Sequence, residues 1–358
     1  MKSKLLHTVK TDAAFDHVND YYYERGWSDG LPIVPPTENR VQAMLTGMLW
    51  RNADDVISVV PPRMGIATMR QIAVNAVMAG CKPEYLPVVV AALQAVSDPA
   101  YGLSHRQTTT HAGAPLIIVN GPIVERLHIN CGRGVFGPGW RANATIGRAL
   151  RFVLVNIGGA GPAVDASQTG HPGKYTYCIA EYEAANPWEP LHVERGYVRG
   201  QSVVTLVNTE APHSMTENVL TDPDGILDTF ASSMATLGVN NIYSQGTPVL
   251  VLGIEHAQHI AGAGWSKQDV QRTVFERARQ PWGLVKNRGK SKGPRFPEFV
   301  DRNDDKSMVP IIREPEDLVL IVAGGAGGKS MFLPTAGGQS LAVSKLIETA
   351  EHSHEKFS

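Results

Sequence analysis

Three runs of the chain are apolar and β-branched almost from end to end: Ala114–Asn120 (APLIIVN), Thr247–Leu252 (TPVLVL) and Asp317–Ala323 (DLVLIVA). A strand with one wet face alternates, whereas a continuous run of this length suits a strand buried on both faces. Each run empties into glycine: Gly121-Pro122, Gly253-Ile254-Glu255-His256 and Gly324-Gly325-Ala326-Gly327-Gly328. Around them the apolar period changes to three and four. It predicts helices over Ile66–Met78, ended by Gly80, from Pro83 or Pro87 to Ser97, over Asn143–Val155 and over Ser266–Arg279. Earlier still, a helix over Asp12–Glu24 stops at Gly26, and a second runs to Met48 with Thr37 as its N-cap. A short strand over Val56–Val60 comes next. Leu31–Thr37 (LPIVPPT) reads as an extended strap, because proline fixes φ and removes a hydrogen-bond donor. The fold class is therefore α/β, with buried β-strands flanked by helices.

Two of the buried runs repeat a longer pattern. Pro115-Leu-Ile-Ile-Val-Asn-Gly leads through a loop to Gly139-Trp140 and a helix, and Pro248-Val-Leu-Val-Leu-Gly leads to Gly264-Trp265 and a helix. The readings are two related strand–glycine-loop–helix halves, or two common α/β units that look alike. The organisation expected is an N-terminal helical and strap segment over 1–50, a first half over 51–200 and a second over 201–358, or one continuous domain. Trp282–Asp305 reads as a surface excursion or lid, and the tail after Glu348 is expected to fray.

Composition narrows the class. Of 358 residues, 43% are hydrophobic and 19% charged, as in a globular chain and unlike a disordered one. The formal net charge of −1 offers nothing to a polyanion or a membrane surface, so neither nucleic acid nor membrane is an expected partner. The first residues lack the apolar stretch of a secretory leader, and three widely spaced cysteines suit a reducing compartment. A cytoplasmic location is the expectation.

Several segments have the makings of chemistry. In Asn130–Ala149 (NCGRGVFGPGWRANATIGRA), glycines that include Gly137 and Gly139 precede a helix, with Arg133 and Arg141 at its approach and Asn143 just inside it. Glycine lets the backbone come close to a ligand, free N–H groups at a helix start favour an anion, and arginine clamps carboxylate or phosphate. Ala323–Ser330 (AGGAGGKS) looks like a phosphate loop, but alanine stands at the first glycine position and Pro334 blocks the helix such a loop requires. Gly324, Gly325 and Lys329 remain candidates for a backbone nest around a substrate. Glu255 and His256 stand at the end of a buried strand, where open α/β sheets place their sites. His259, one turn on, makes a metal shared with His256 an alternative, with His192 or Glu194 as further ligands. Ser104–Gly113 brings His111, and Gly170–Glu194 offers His171, Lys174, Cys178, Glu181, His192 and Glu194. A thiol beside a lysine is a better nucleophile, which singles out Cys178. Cys81 follows one helix end and precedes another, with opposite effects on its thiol.

Together these blocks resemble a bacterial protein family. The matching segments are Gly26-Trp-Ser-Asp-Gly-Leu-Pro with Val34-Pro-Pro-Thr, Ala76-Val-Met-Ala-Gly-Cys-Lys-Pro-Glu-Tyr, Val135-Phe-Gly-Pro-Gly-Trp-Arg-Ala-Asn-Ala-Thr-Ile-Gly-Arg, Gly170-His-Pro-Gly-Lys-Tyr and Pro187-Trp-Glu-Pro-Leu-His-Val-Glu-Arg-Gly, with Glu255-His-Ala and Gly264-Trp-Ser-Lys beyond them. The family is similar to partners of the selenoprotein family that carries a U-G-S-C motif. The resemblance implies a redox partner subunit and supplies no mechanism, and the chain itself has no C-G-S-C. It also implies serine at the place of Cys131, which argues against that residue as nucleophile.

The leading expectation is a small-molecule enzyme using thiol-assisted reductive or lytic cleavage. Cys81 or Cys178 would be the nucleophile, His111, Glu255 or His256 would move protons, and Arg141 with the glycine loops would hold an anionic group. A metal-dependent hydrolase or lyase and a non-catalytic partner subunit are the alternatives. No segment names a cofactor. The partners expected are a small anionic substrate, a redox subunit and further copies of the chain in a homo-oligomer.

Overall fold

A computed structural model describes residues 15–289, 296–335 and 341–350. The strands in chain order are β1 (Val56–Val60), β2 (Gly65–Thr68), β3 (Ala114–Asn120), β4 (Cys178–Ala180), β5 (Val203–Thr209) and β6 (His213–Thr216), then β7 (Val249–Leu252), β8 (Arg279–Pro281), β9 (Met308–Pro310), β10 (Val319–Val322), β11 (Lys329–Leu333) and β12 (Val343–Leu346). β1 with β2 and β8 with β9 form separate two-stranded pairs. The other eight make two four-stranded sheets of the same design, and the chain is α/β.

In the first sheet β3 is parallel to β4 and antiparallel to β5, and β5 is antiparallel to β12. In the second, β7 is parallel to β10 and antiparallel to β11, and β11 is antiparallel to β6. The helices follow suit. Leu86–Val96 precedes β3 and Arg141–Asn156 lies between β3 and β4; Pro223–Met234 precedes β7 and Lys267–Arg277 lies between β7 and β10. One strand breaks the correspondence. The place that β6 holds in the second sheet is taken in the first by β12, so the last strand of the described chain closes the first sheet.

Alternation within the buried runs explains how the sheets stack. Leu116 and Ile118 of β3 share a cluster with Val249 and Val251 of β7 and with Val319 and Ile321 of β10. The intervening Ile117 and Val119 belong with the 86–96 and 141–156 helices, while Leu250, Leu252 and Leu320 belong with the 223–234 and 267–277 helices. The order is helix, sheet, sheet, helix, with both faces of each central strand covered. The sheets are tied at both ends. Tyr182 N donates to Val322 O at 2.8 Å and Gly324 N to Cys131 O at 2.8 Å; at the opposite end Glu210 N donates to Pro334 O at 2.8 Å.

Two local details hold the 141–156 helix in place. Gly147 lies inside it, where a Cβ would stand 2.5 Å from Thr176 Oγ1 and 2.5 Å from Tyr177 N, so only glycine lets the helix lie this close to the approach to β4. From the same helix Arg148 grips Asp29 with two bonds, 2.7 and 2.8 Å, and donates to Pro32 O at 2.9 Å, which fastens the proline strap.

Some expectations need correcting. The helix expected from Ile66 starts at Met69, because Gly65–Thr68 pairs with β1 and Thr68 forms a capping box with Gln71. Thr37 does precede a helix, Glu38–Leu45, but its hydroxyl makes no capping bond. Trp282–Asp305 is no simple surface excursion: Trp282, Val285 and Val300 are buried in the second core, and residues 290–295 lie outside the described residues. The 12–14 start of the first expected helix and most of the tail also lie outside them; Phe15–Glu24 is helical.

Candidate functional site

The carboxyl ends of β3 and β4 bring two acids together, Glu181 buried and Glu183 half-buried. β3 ends at Asn120, and its parallel neighbour β4 runs straight on into Glu181-Tyr182-Glu183. Asn120 is fully buried and divides its amide between the two acids, with Nδ2 2.6 Å from Glu181 Oε2 and 2.9 Å from Glu183 Oε1. Glu181 also accepts from Leu191 N and from Asn186 Nδ2, both at 2.8 Å. Glu183 Oε1 accepts from Gly121 N at 2.7 Å, and its carboxylate is partly exposed. His192 is fully buried, with Nε2 donating to Arg199 O at 3.4 Å and Nδ1 3.6 Å from Glu183 Oε1. Two buried atoms here have no hydrogen-bond partner among the described residues, Asn120 Oδ1 and His192 Nδ1.

Burial pushes the Glu181 carboxyl above its ordinary range, while the Lys267 ammonium and the hydrogen bonds from Leu191 and Asn120 pull it back. That lysine comes from the other half of the molecule. It is buried and ion-paired to Glu194 at 2.5 Å, so the second half braces the loop that carries His192.

Both glycine segments cross beside this pair. Gly132 bridges Gly324, and Gly325 packs on Arg133, whose Cβ lies 3.2 Å from where a glycine side chain would start. The Arg133 side chain is exposed and has no acidic partner among the described residues. Cys131, half-buried between the loops, has its thiol pushed up by burial and by the nearby Glu183. The same register in the second sheet is chemically empty. Val119 pairs with Ala180 in the first sheet and Leu252 with Val322 in the second, so Ala323, Gly324 and Gly325 stand where the first has Glu181, Tyr182 and Glu183. One half carries the acids and the other supplies backbone.

The residues that the sequence singled out fall into separate places. Gly324 and Gly325 reach this site, and Glu255 lies at the same end, its Oε2 accepting from Gly328 N at 2.8 Å. The Cys81 and Cys178 thiols do not reach it. Cys81 and Cys178 are both buried, close enough to influence each other, beneath the start of the 141–156 helix. Burial pushes the Cys81 thiol up to about 12 and the Cys178 thiol higher, and Cys81 Sγ donates to Thr145 O at 3.3 Å. A nucleophilic cysteine needs the opposite preparation. Arg141 stands near Cys81 but spends its guanidinium on Gly80 O, at 2.9 and 3.0 Å, capping the 69–79 helix. Asn143 braces Asn130 and Cys178 through backbone bonds, and Gly137 and Gly139 form an exposed turn.

His111, His171 and Lys174 lie at the other end of β3. His111 Nε2 is 2.7 Å from Glu210 Oε1, and its Nδ1 accepts from Gly113 N at 3.0 Å. His171 is held likewise, between Gly173 N and Thr209 O, and Lys174 pairs with Asp165 at 2.6 Å. His256 is buried in the second half, with Nδ1 2.8 Å from Ser330 Oγ and Nε2 2.8 Å from Glu217 O. Both ring nitrogens are thus committed, and burial holds this imidazole below its usual range. His259 points to solvent from the same helix. Among the described residues no three His, Cys, Asp or Glu side chains are grouped as metal ligands, so the His256, His259 and His192 set is not assembled. Lys329 begins β11, not a phosphate-loop helix, and donates to Thr216 Oγ1 at 2.8 Å.

No described helix is long and apolar enough to cross a membrane. No protein-family model matches the chain, and no curated protein is significantly similar to it.

Proposed function

We propose that the chain is an enzyme that moves a proton on a small anionic molecule bound where the two glycine loops cross. Glu183 takes the proton, His192 stands beside it, and Arg133 holds the substrate's anionic group. The observation that carries this reading is the pair of carboxylates joined through one asparagine amide, beside Asn120 Oδ1 and His192 Nδ1, two buried atoms without a hydrogen-bond partner among the described residues. Asn120 and Gly121 fix one oxygen of Glu183 and leave the other without a partner among the described residues. Glu181 is sealed from solvent and acts as a positioning residue, since it holds the asparagine and the chain at Leu191. The glycines let backbone approach the bound molecule closely. Thiol chemistry at Cys81 or Cys178 has less support, because burial keeps both thiols protonated at neutral pH.

The test works on a mixture, so the substrate need not be identified first. The protein is incubated in deuterated water with a pool of small carboxylic acids, and deuterium uptake is read by mass spectrometry. Glu183→Gln preserves shape and removes the base, so uptake should fall by about 100-fold or more. Arg133→Ala should raise the concentration needed for half-maximal uptake. Wild-type uptake in the Glu183→Gln protein would rule the reading out.

A further inference from the structure

We propose that a cavity between Trp50, Asp55 and Leu346 is a second ligand site, which takes a small protonated amine with an apolar body. The cavity has a volume of about 660 Å³, and small-molecule sites generally fall between about 300 and 1,000 Å³. It shares no residue with the acid pair and lies beside the first sheet, to which β12 belongs. Its walls come from the loop before β1, the end of the 86–96 helix, and β12 with the residues after it.

Among the described residues, the charges that line it do not cancel. Arg51 is committed to Glu348 through Nε at 3.1 Å and Nη2 at 2.7 Å, and Lys345 is committed to Asp98 at 2.7 Å. Those four groups form two neutral pairs. Asp55 is left over. One of its carboxylate oxygens accepts from Asn52 N at 3.0 Å, and it makes no ion pair among the described residues. The carboxylate is half-buried and stands in a wall whose other members include the Trp50 indole, Ile57 and Leu346. A carboxylate without its own cation, beside an aromatic ring and aliphatic surface, recognises an organic ammonium and repels an acid.

The experiment is calorimetric titration of the full chain with phenethylamine, and with 3-phenylpropionate as the acid of matching shape. The amine should bind saturably at about 1 mM or tighter, and the acid should not bind at those concentrations. Asp55→Asn keeps an oxygen for Asn52 N and should weaken the amine at least about tenfold, the loss expected when a charged partner is removed. Trp50→Phe should weaken it by a smaller factor. Wild-type discrimination between amine and acid decides the point even if a variant fails to fold. Absence of saturable amine binding, equal binding of the acid, or an unchanged affinity in folded Asp55→Asn would overturn the proposal. Because Glu183 lies elsewhere, these outcomes are independent of the proton-transfer reading.

Discussion

Asn120 supplies both carboxylates of the acid pair with a donor from a single amide, and that economy keeps a buried and a half-buried acid side by side. Other buried ionisable groups set how the fold responds to pH. His256 is neutral between Ser330 and Glu217, and burial holds it below its usual range; His171 is shifted in the same direction, also chiefly by burial. The unfolded chain therefore binds protons that the fold refuses. This stability is fully present above the ordinary histidine value near about 6.5 and is lost as pH falls toward the folded values. Glu181 acts with the opposite sign, since its raised carboxyl costs stability as pH rises above the ordinary glutamate range. The urea midpoint should fall between pH 7.5 and pH 5.5, and fall less in His256→Gln; equal slopes for the two proteins would contradict this. Few of these residues stand out along the chain. Asn120 reads as the last letter of an apolar run, and Glu183 as one acid in a stretch rich in acids and tyrosine. Only the parallel pairing of β3 with β4 makes them neighbours.

Helices were the legible elements, because their signals are local. The apolar period, the Gly80 stop and the run into Val155 locate the 69–79 and 141–156 helices to within a few residues. The short strands β6, β11 and β12 were not legible, since each depends on a partner far away in the chain. Thus the residues after Lys329 look like a failed phosphate loop and are in fact a strand between β7 and β6. Gly147 gives an element-scale test with a decided sign. In a free helix Gly→Ala would stabilise by about 1 kcal/mol. Here the added methyl would meet Thr176 Oγ1 and Tyr177 N at 2.5 Å, so Gly147→Ala should instead lose about 1–3 kcal/mol in a denaturant titration. A gain would mean that the helix is free to move off β4.

At the scale of the whole molecule, the repeat of strand, helix and glycine visible in the sequence corresponds to two sheets with one plan. Their stacking, and the loan of β12 to the first sheet, were not visible there. β12 gives Val343 to the first core, and Ile347 follows directly into it, while Ser344 and Ala342 receive Arg195. Removing residues 341–358 should therefore strip amide-exchange protection from β3 and β5 and leave β7 and β10 protected; uniform loss, or none, would contradict the assignment. The site depends on the same stacking, since the acids belong to one unit and part of the glycine cradle to the other. Solvent deuterium uptake, measured side by side for Glu183→Gln and for a protein with serine at positions 81, 131 and 178, tests the proton-transfer role most directly. Uptake should persist without the thiols and vanish without the Glu183 carboxylate; persistence in Glu183→Gln with loss in the serine protein would contradict it.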